Sequence, residues 1–202
     1  MNHIISKEQA KEIMSLAGET RGFNIKLDSE YILKTKGEEG LKKLEQEMEK
    51  LGYPIKYKEI QRMGFVPSGL KILTLLTIKQ VFGFDDEEIK NVCGFQPTNS
   101  LIVKLFAVYI RSMPIALKFA NTMWKKYWTI GELKSVEFNE EKKRIVLIIK
   151  NFKLHDIFCR CMEGYFESMA GLIFGKKNMT CKETKCSHKG DEFHEFLLTW
   201  KD

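Results

Sequence analysis

The 202-residue sequence predicts an α+β fold, with N-terminal helices packed on a small antiparallel sheet and a helix between two C-terminal hairpins. Three observations predict it. Apolar residues recur at helical spacing through most of the chain up to residue 128. The period then changes to that of strands, and RIVLIIK at 144–150 reads as a strand buried on both faces. One more helical stretch, from residue 155, lies between that hairpin and a last pair of strand patterns.

The elements follow in order. Ser6 suits the N-cap of a helix over 6–17, with Glu8 and Glu12 in its early turns, and Gly18 and Gly22 break it. Residues 23–36 alternate loosely and fit a strand or a short helix. In GEEGLKKLEQEMEKLG, Leu41, Leu44, Met48 and Leu51 share one helical face, with Gly52 in the C-cap place. YPIKYKEI fits a short extended segment. Pro67 and Ser68 open GLKILTLLTIKQVFG, which Gly83 ends. DDEEIKNVCG is a helix with an acidic first turn, and Gly94 follows its last residue. The longest helical pattern runs from about 100 to 128. It is apolar around much of its circumference, and Pro114 is placed to kink or divide it. Strands at 129–138 and 144–150 flank the polar turn NEEKK. HDIFCRCMEGYFESMAGLIFG is a helix closed by Gly175, followed by strands at about 177–184 and 192–200. No repeat, low-complexity tract or Gly/Ser linker divides the chain. Residues 1–202 are therefore expected to form a single ligand-binding-like domain, with 1–95 its helical N-terminal part and 96–202 its core.

Composition narrows the class. The balance of apolar and charged residues is that of a folding chain. No stretch approaches the ~18–20 uncharged apolar residues of a membrane span, and MNHIISKEQAKE has no apolar signal core. A soluble, cytoplasmic protein is expected. The net charge is +6, and the whole excess lies in residues 101–150. Lys125 and Lys126 stand there beside Trp124, Tyr127 and Trp128. This reads as a solvated helix end with lysines reaching outward, not as a nucleic-acid surface.

Five cysteines in a chain without a signal segment argue against a disulfide framework. Cys93, before Gly94, reads as a small core residue. The other four cysteines, with three of the four histidines, follow residue 154. Cys159 on the late helix, with Glu183, Cys186 and His194 on the terminal hairpin, supplies the donors of a tetrahedral zinc set. By spacing alone Cys181 and His188 compete as ligands, and Cys161 competes with Cys159. Reduced cysteines and solvent-facing histidines are the alternative.

CRCMEGYFESMAGLIFGKKNMTCKETKCSHKGDEFHEF resembles the C-terminal signature of the 4-vinyl reductase domain family, over the segment 155–200. The matching positions are Cys159, Gly164, Gly175, Glu183, Cys186, Gly190, Asp191, His194 and Phe196. The resemblance implies Cys159 rather than Cys161, and Glu183 rather than Cys181, as zinc ligands; His194 stands where the family has cysteine. More weakly, the rest of the chain is similar to the wider superfamily of TRAPP small subunits and haem nitric-oxide sensors.

The resemblance implies a small-molecule-binding or sensory domain with a structural zinc and an apolar pocket for a hydrophobic or aromatic ligand. The expected lining is Phe106, Tyr109, Ile110, Met113, Phe119, Met123 and Trp124 on the long helix, and Phe158, Tyr165 and Phe166 on the later one; the same residues would equally make a filled core. A homodimer or a signalling partner is expected, since the chain shows no output module. A protein-interaction module without a ligand is the alternative. Enzymatic readings, as a tetrapyrrole vinyl reductase or a zinc hydrolase, have little behind them: there is no GxGxxG and no HExxH. Haem is set aside as a cofactor. The haem nitric-oxide sensors ligate iron through a helix histidine, and none of His3, His155, His188 and His194 lies on the long helix or on the helices of 66–94.

Overall fold

The computed structural model describes residues 5–99, 113–175 and 178–201. The order is α1 (Lys7–Met14), β1 (Glu19–Arg21), α2 (Gly22–Lys50), β2 (Phe65–Pro67), α3 (Ser68–Phe82), α4 (Asp86–Asn99), α5 (Met113–Tyr127), β3 (Glu132–Asn139), β4 (Arg144–Lys150), α6 (Ile157–Phe174), β5 (Met179–Lys185) and β6 (His194–Trp200). The class is α+β, as the pattern predicts.

Ser6 caps α1 in a reciprocal arrangement with Gln9. Asp85 and Glu88 do the same for α4: Glu88 N–H donates to Asp85 Oδ1 at 2.8 Å, and Asp85 N–H to Glu88 Oε2 at 2.9 Å. The ambiguous stretch 23–36 is helical. It joins the next helix into α2, interrupted by non-helical backbone at Gly37. Its first turns are buried on nearly every side, with Phe23, Asn24, Ile25, Leu27, Asp28 and Ser29 all enclosed, so no single apolar stripe marks the helix in the sequence. YPIKYKEI is not extended: Tyr57–Glu59 form a 3₁₀ turn. The short pair β1–β2 escaped the sequence because three residues are too few to show a period.

Gly94 does not end α4, which continues to Asn99 with Pro97 inside it. A Cβ at Gly94 would lie 2.8 Å from Ser168 Oγ and 3.2 Å from the Gly164 carbonyl. A Cβ at Gly164 would lie 2.0 Å from the Lys90 carbonyl. These glycines let the backbones of α4 and α6 touch. Glycine serves stops and close approaches alike, and the one-dimensional pattern does not separate the two.

The main sheet has the order β3-β4-β6-β5, antiparallel throughout. Its two hairpins are joined by α6, and β4 pairs with β6 in the centre, Ile149 opposite His194 and Leu147 opposite Phe196. The core runs from α2 and α3 through α4 and α6 onto this sheet. The end of α5 is tied to the N-terminal part: Thr129 N–H donates to the Glu19 carbonyl at 3.0 Å, and Thr20 bridges Trp128. Among the described residues, no helix is long and apolar enough to cross a membrane.

Candidate functional site

Two places concentrate chemistry: a cluster of ligand atoms where α6 meets the terminal hairpin, and an apolar cavity between α5, α6 and the sheet.

In the first, Cys159, Glu183, Cys186 and His194 come together, with one ligand atom from each lying within 4.8 Å of the others. The two sulfurs are 3.6 Å apart, and Cys159 Sγ is 3.7 Å from His194 Nδ1. A tetrahedral centre with ~2.3 Å metal–sulfur bonds separates its sulfurs by about 3.8 Å. His194 Nε2 lies 2.9 Å from the Phe152 carbonyl, which can only accept, so Nε2 carries a proton. Ser187 Oγ is 2.6 Å from the same nitrogen. His194 Nδ1 faces Glu183 Oε1 at 2.9 Å. Two lone pairs at that distance need a proton or a metal ion between them.

The electrostatics agree. Burial, then the neighbouring Glu183 carboxylate and Cys186, push the Cys159 thiol far up from its ordinary value. Burial also raises the Glu183 carboxyl. Hydrogen bonds from His194 and Cys159 outweigh this and hold it below the usual carboxylate range. A metal ion would reverse the balance for the thiols by supplying the charge that thiolates need.

Local structure explains the convergence. Asp191 Oδ2 accepts the Cys186 N–H at 2.7 Å, and the turn between them passes through Gly190 at φ +102°, a backbone most residues avoid. Glu163 on α6 accepts the Glu183 N–H at 2.7 Å, and Arg160 donates to both Glu163, at 2.7 Å, and Glu183, at 3.3 Å. Arg160 and Glu163 escaped the sequence reading, although both stand on the same helix as Cys159. The competing candidates go elsewhere. Cys181 points into the core, with its N–H held by Glu167 at 3.0 Å. The His188 ring lies beside His194, 5.5 Å between centroids, outside the cluster.

Cys161 is joined to Cys93 by a disulfide. Cys93 is a core residue, as expected, but the bridge runs against the expectation of no disulfide framework. The pairing follows from the contact of α4 with α6, which brings the Cα atoms to 5.1 Å. Residues 68 positions apart carry no local sign of it.

The cavity measures about 140 Å³. Of the residues expected to line a pocket, Met123, Trp124, Phe158, Tyr165 and Phe166 line it. Ala116, Ala120 and Ala170 leave the space. Phe119 does not contribute: it is exposed, well round the helix from Leu117, Ala120 and Trp124, which face the cavity. Phe106, Tyr109 and Ile110 lie outside the described residues, as does the side chain of Met113. The sequence reading missed the polar end of the cavity, formed by Asn24, Lys71 and Gln96. A lysine in the otherwise apolar run GLKILTLL was the available signal.

Lys71 is 1% exposed and forms an ion pair with Asp28, which is 0% exposed. Gln96 Nε2 donates to Asp28 Oδ1 at 2.7 Å and to the Asn24 carbonyl at 3.1 Å. Asn24 donates to Thr20 Oγ1 at 2.8 Å. Burial lowers the Lys71 ammonium and raises the Asp28 carboxyl from their ordinary values, and their mutual attraction opposes both.

No protein-family model and no curated protein matches the chain. Solved structures do. An H-NOX protein from S. oneidensis in the Fe(II)NO ligation state superposes with a TM-score of 0.67 at 12% identity, over 90% of this chain and 99% of that one. An NMR structure of an H-NOX domain from Shewanella oneidensis in the Fe(II)CO state gives 0.67 at 10%, over 90% and 99%. An oxygen-binding H-NOX domain related to soluble guanylate cyclases gives 0.63 at 10%, over 90% and 95%. The fold is that of the H-NOX proteins.

At these identities the likeness is one of fold. It agrees with the expected likeness in fold to the haem nitric-oxide sensors. It also overturns the cofactor expectation, which put zinc forward and set haem aside. Those neighbours carry Fe(II) on this fold, so the lack of a helix histidine is no ground for setting haem aside. Among the described lining residues, Tyr127, Tyr165, Met123 and Met162 have side chains of kinds that ligate haem iron, and none is histidine. The cavity is below the ~300–1,000 Å³ of ordinary ligand pockets, so a haem would need it to widen.

Proposed function

We propose that this chain is a small-molecule-binding sensory domain whose ligand occupies the cavity between α5, α6 and the sheet. The observation that carries the reading is the cavity itself. It is walled by aromatic and sulfur-containing side chains and opened by alanines, in a fold whose solved examples include proteins in Fe(II)NO, Fe(II)CO and oxygen-bound states. The resemblance of residues 155–200 to the 4-vinyl reductase domain family supports the same class. Such a domain acts through a partner or a second copy of itself.

Beside the cavity, we assign Cys159, Glu183, Cys186 and His194 as a structural centre for a divalent transition-metal ion. Two thiolates, one imidazole and one carboxylate make a closed four-donor set, soft enough to favour such an ion over calcium or magnesium. The centre fastens α6 to the β5–β6 turn. With all four positions taken by protein, it is built to hold the fold rather than to activate water.

Native mass spectrometry of freshly purified protein tests both assignments in one spectrum. A co-purified organic ligand, or a change in Trp124 and Trp128 emission with an apolar ligand added, supports the cavity. Titration with haemin and absorption spectroscopy would identify haem by a Soret band. A mass equal to the bare chain, with no emission change for any aromatic ligand or haemin, would sink the sensory reading.

A further inference from the structure

Lys71 and Asp28 pose a question that the apolar core does not answer. Removing two charges from water costs several kcal/mol per ion, and a hydrophobic pair of the same volume is often no less stable. Lys71 faces the cavity, and among the described residues the neighbours of the pair leave hydrogen-bonding capacity unused. An ammonium has three donors. Lys71 donates one to Asp28, and its second neighbour is Cys93 Sγ at 3.9 Å, a weak acceptor already in a disulfide. Gln96 spends its amide N–H groups on Asp28 and on the Asn24 carbonyl. No described residue donates to Gln96 Oε1 or to Asn24 Oδ1. Both side chains are more than nine-tenths buried and line the cavity with Lys71. Lys71 and Gln96 hold the two oxygens of one carboxylate, so they stand side by side at the cavity's end.

We propose that this end is a recognition site for a neutral carboxamide or un-ionised carboxylic acid head on a flat apolar molecule. The head's carbonyl oxygen accepts from Lys71 Nζ, and its N–H or O–H donates to Gln96 Oε1, with Asn24 Oδ1 the second acceptor within the same end. A ligand carrying a net charge is disfavoured. Lys71 is already balanced by Asp28, so an anionic head would bring a second carboxylate into a dry cavity, and a cationic head would meet Lys71 itself. The apolar body lies between Trp124, Phe158, Phe166 and the alanines of α5. Asp28 is not among the lining residues; it orients the two that are. An analogue lacking the donor leaves the amide oxygens unpaired, and such unpaired buried groups give polar sites their selectivity.

The inference rests on the cavity being the ligand site, and the test separates the two. Cinnamamide and methyl cinnamate share one apolar body, but only the amide donates. Their affinities are measured by tryptophan emission in the wild type and in Gln96→Met, which keeps the side-chain length. The expected result is about tenfold tighter binding of cinnamamide in the wild type, the worth of one to two net hydrogen bonds. In Gln96→Met that preference, read as the ratio of the two affinities, should vanish. Equal affinities in the wild type, or a preference that survives Gln96→Met, overturn the recognition site and leave the cavity standing. If neither probe binds the wild type, the cavity reading and the recognition site fall together. The folded state of the variant is checked by its melting transition. Should Gln96→Met not fold, Asn24→Leu replaces it: a halved preference or less supports the site, and an unchanged preference overturns it.

Discussion

Single residues carry unequal weight here. Lys71 sits in an apolar helix because Asp28 meets it across 43 positions of sequence, and neither is tolerable without the other. Lys71→Met should destabilise the protein by about 3–5 kcal/mol, since it strands a buried carboxylate. Lys71→Met combined with Asp28→Asn should recover most of that loss. Urea denaturation of both variants checks this, and equal losses in the two would mean that Lys71 matters for packing rather than charge. Phe119, by contrast, shows that residue type alone does not make a lining residue. Its exposure on α5 follows from its place on the helix circumference, well round from Leu117, Ala120 and Trp124.

At the scale of elements, the contact of α4 with α6 organises both candidate sites. It sets the Cys93–Cys161 bridge and positions α6 so that Cys159 reaches the hairpin while Phe158, Met162 and Phe166 wall the cavity. The contact depends on Gly164, where any side chain would strike the Lys90 backbone. Gly164→Ala should lower stability by about 1–3 kcal/mol, the range for overpacking a tight interface. A melting temperature equal to wild type would show that the two helices can part freely. The periods of these helices were legible in the sequence, and so was the position of α6 between two hairpins. The continuation of α4 past Gly94 and the merging of residues 23–36 into α2 were not. Both depend on which neighbour a short segment packs against, and tertiary burial overrides weak local preference.

For the molecule as a whole, the proposed metal centre would tie α6 to the β5–β6 turn, while the disulfide ties α4 to α6. Removal of a bound ion by a chelator should lower the melting temperature. Cys186→Ala should melt like the chelated wild type, because metal-binding free energy enters as folding free energy. Identical melting of wild type and Cys186→Ala, before and after chelation, would show the cluster to be idle. The bridge closes a loop of 68 residues, a length for which the chain-entropy account gives about 4 kcal/mol. Reduction by dithiothreitol should therefore lower the urea midpoint.

The sequence by itself determined what is local or chemical. Apolar spacing placed the late hairpins and the helix between them, and the identities of Cys159, Glu183, Cys186 and His194 marked a donor set before any distance was known. Spacing by itself left Cys161 and Cys181 as equal candidates and only the resemblance set them aside; the tertiary structure sends them to a disulfide and to the core. It also decided that α5 and α6 leave a cavity, and that Asn24, Lys71 and Gln96, drawn from three helices and as many as 72 positions apart, form its polar end. The physical reason is the same in each case. Periodicity records which face of an element is buried, whereas a cavity or a pairing depends on the distance between elements, which is set by side chains remote in sequence packing against one another.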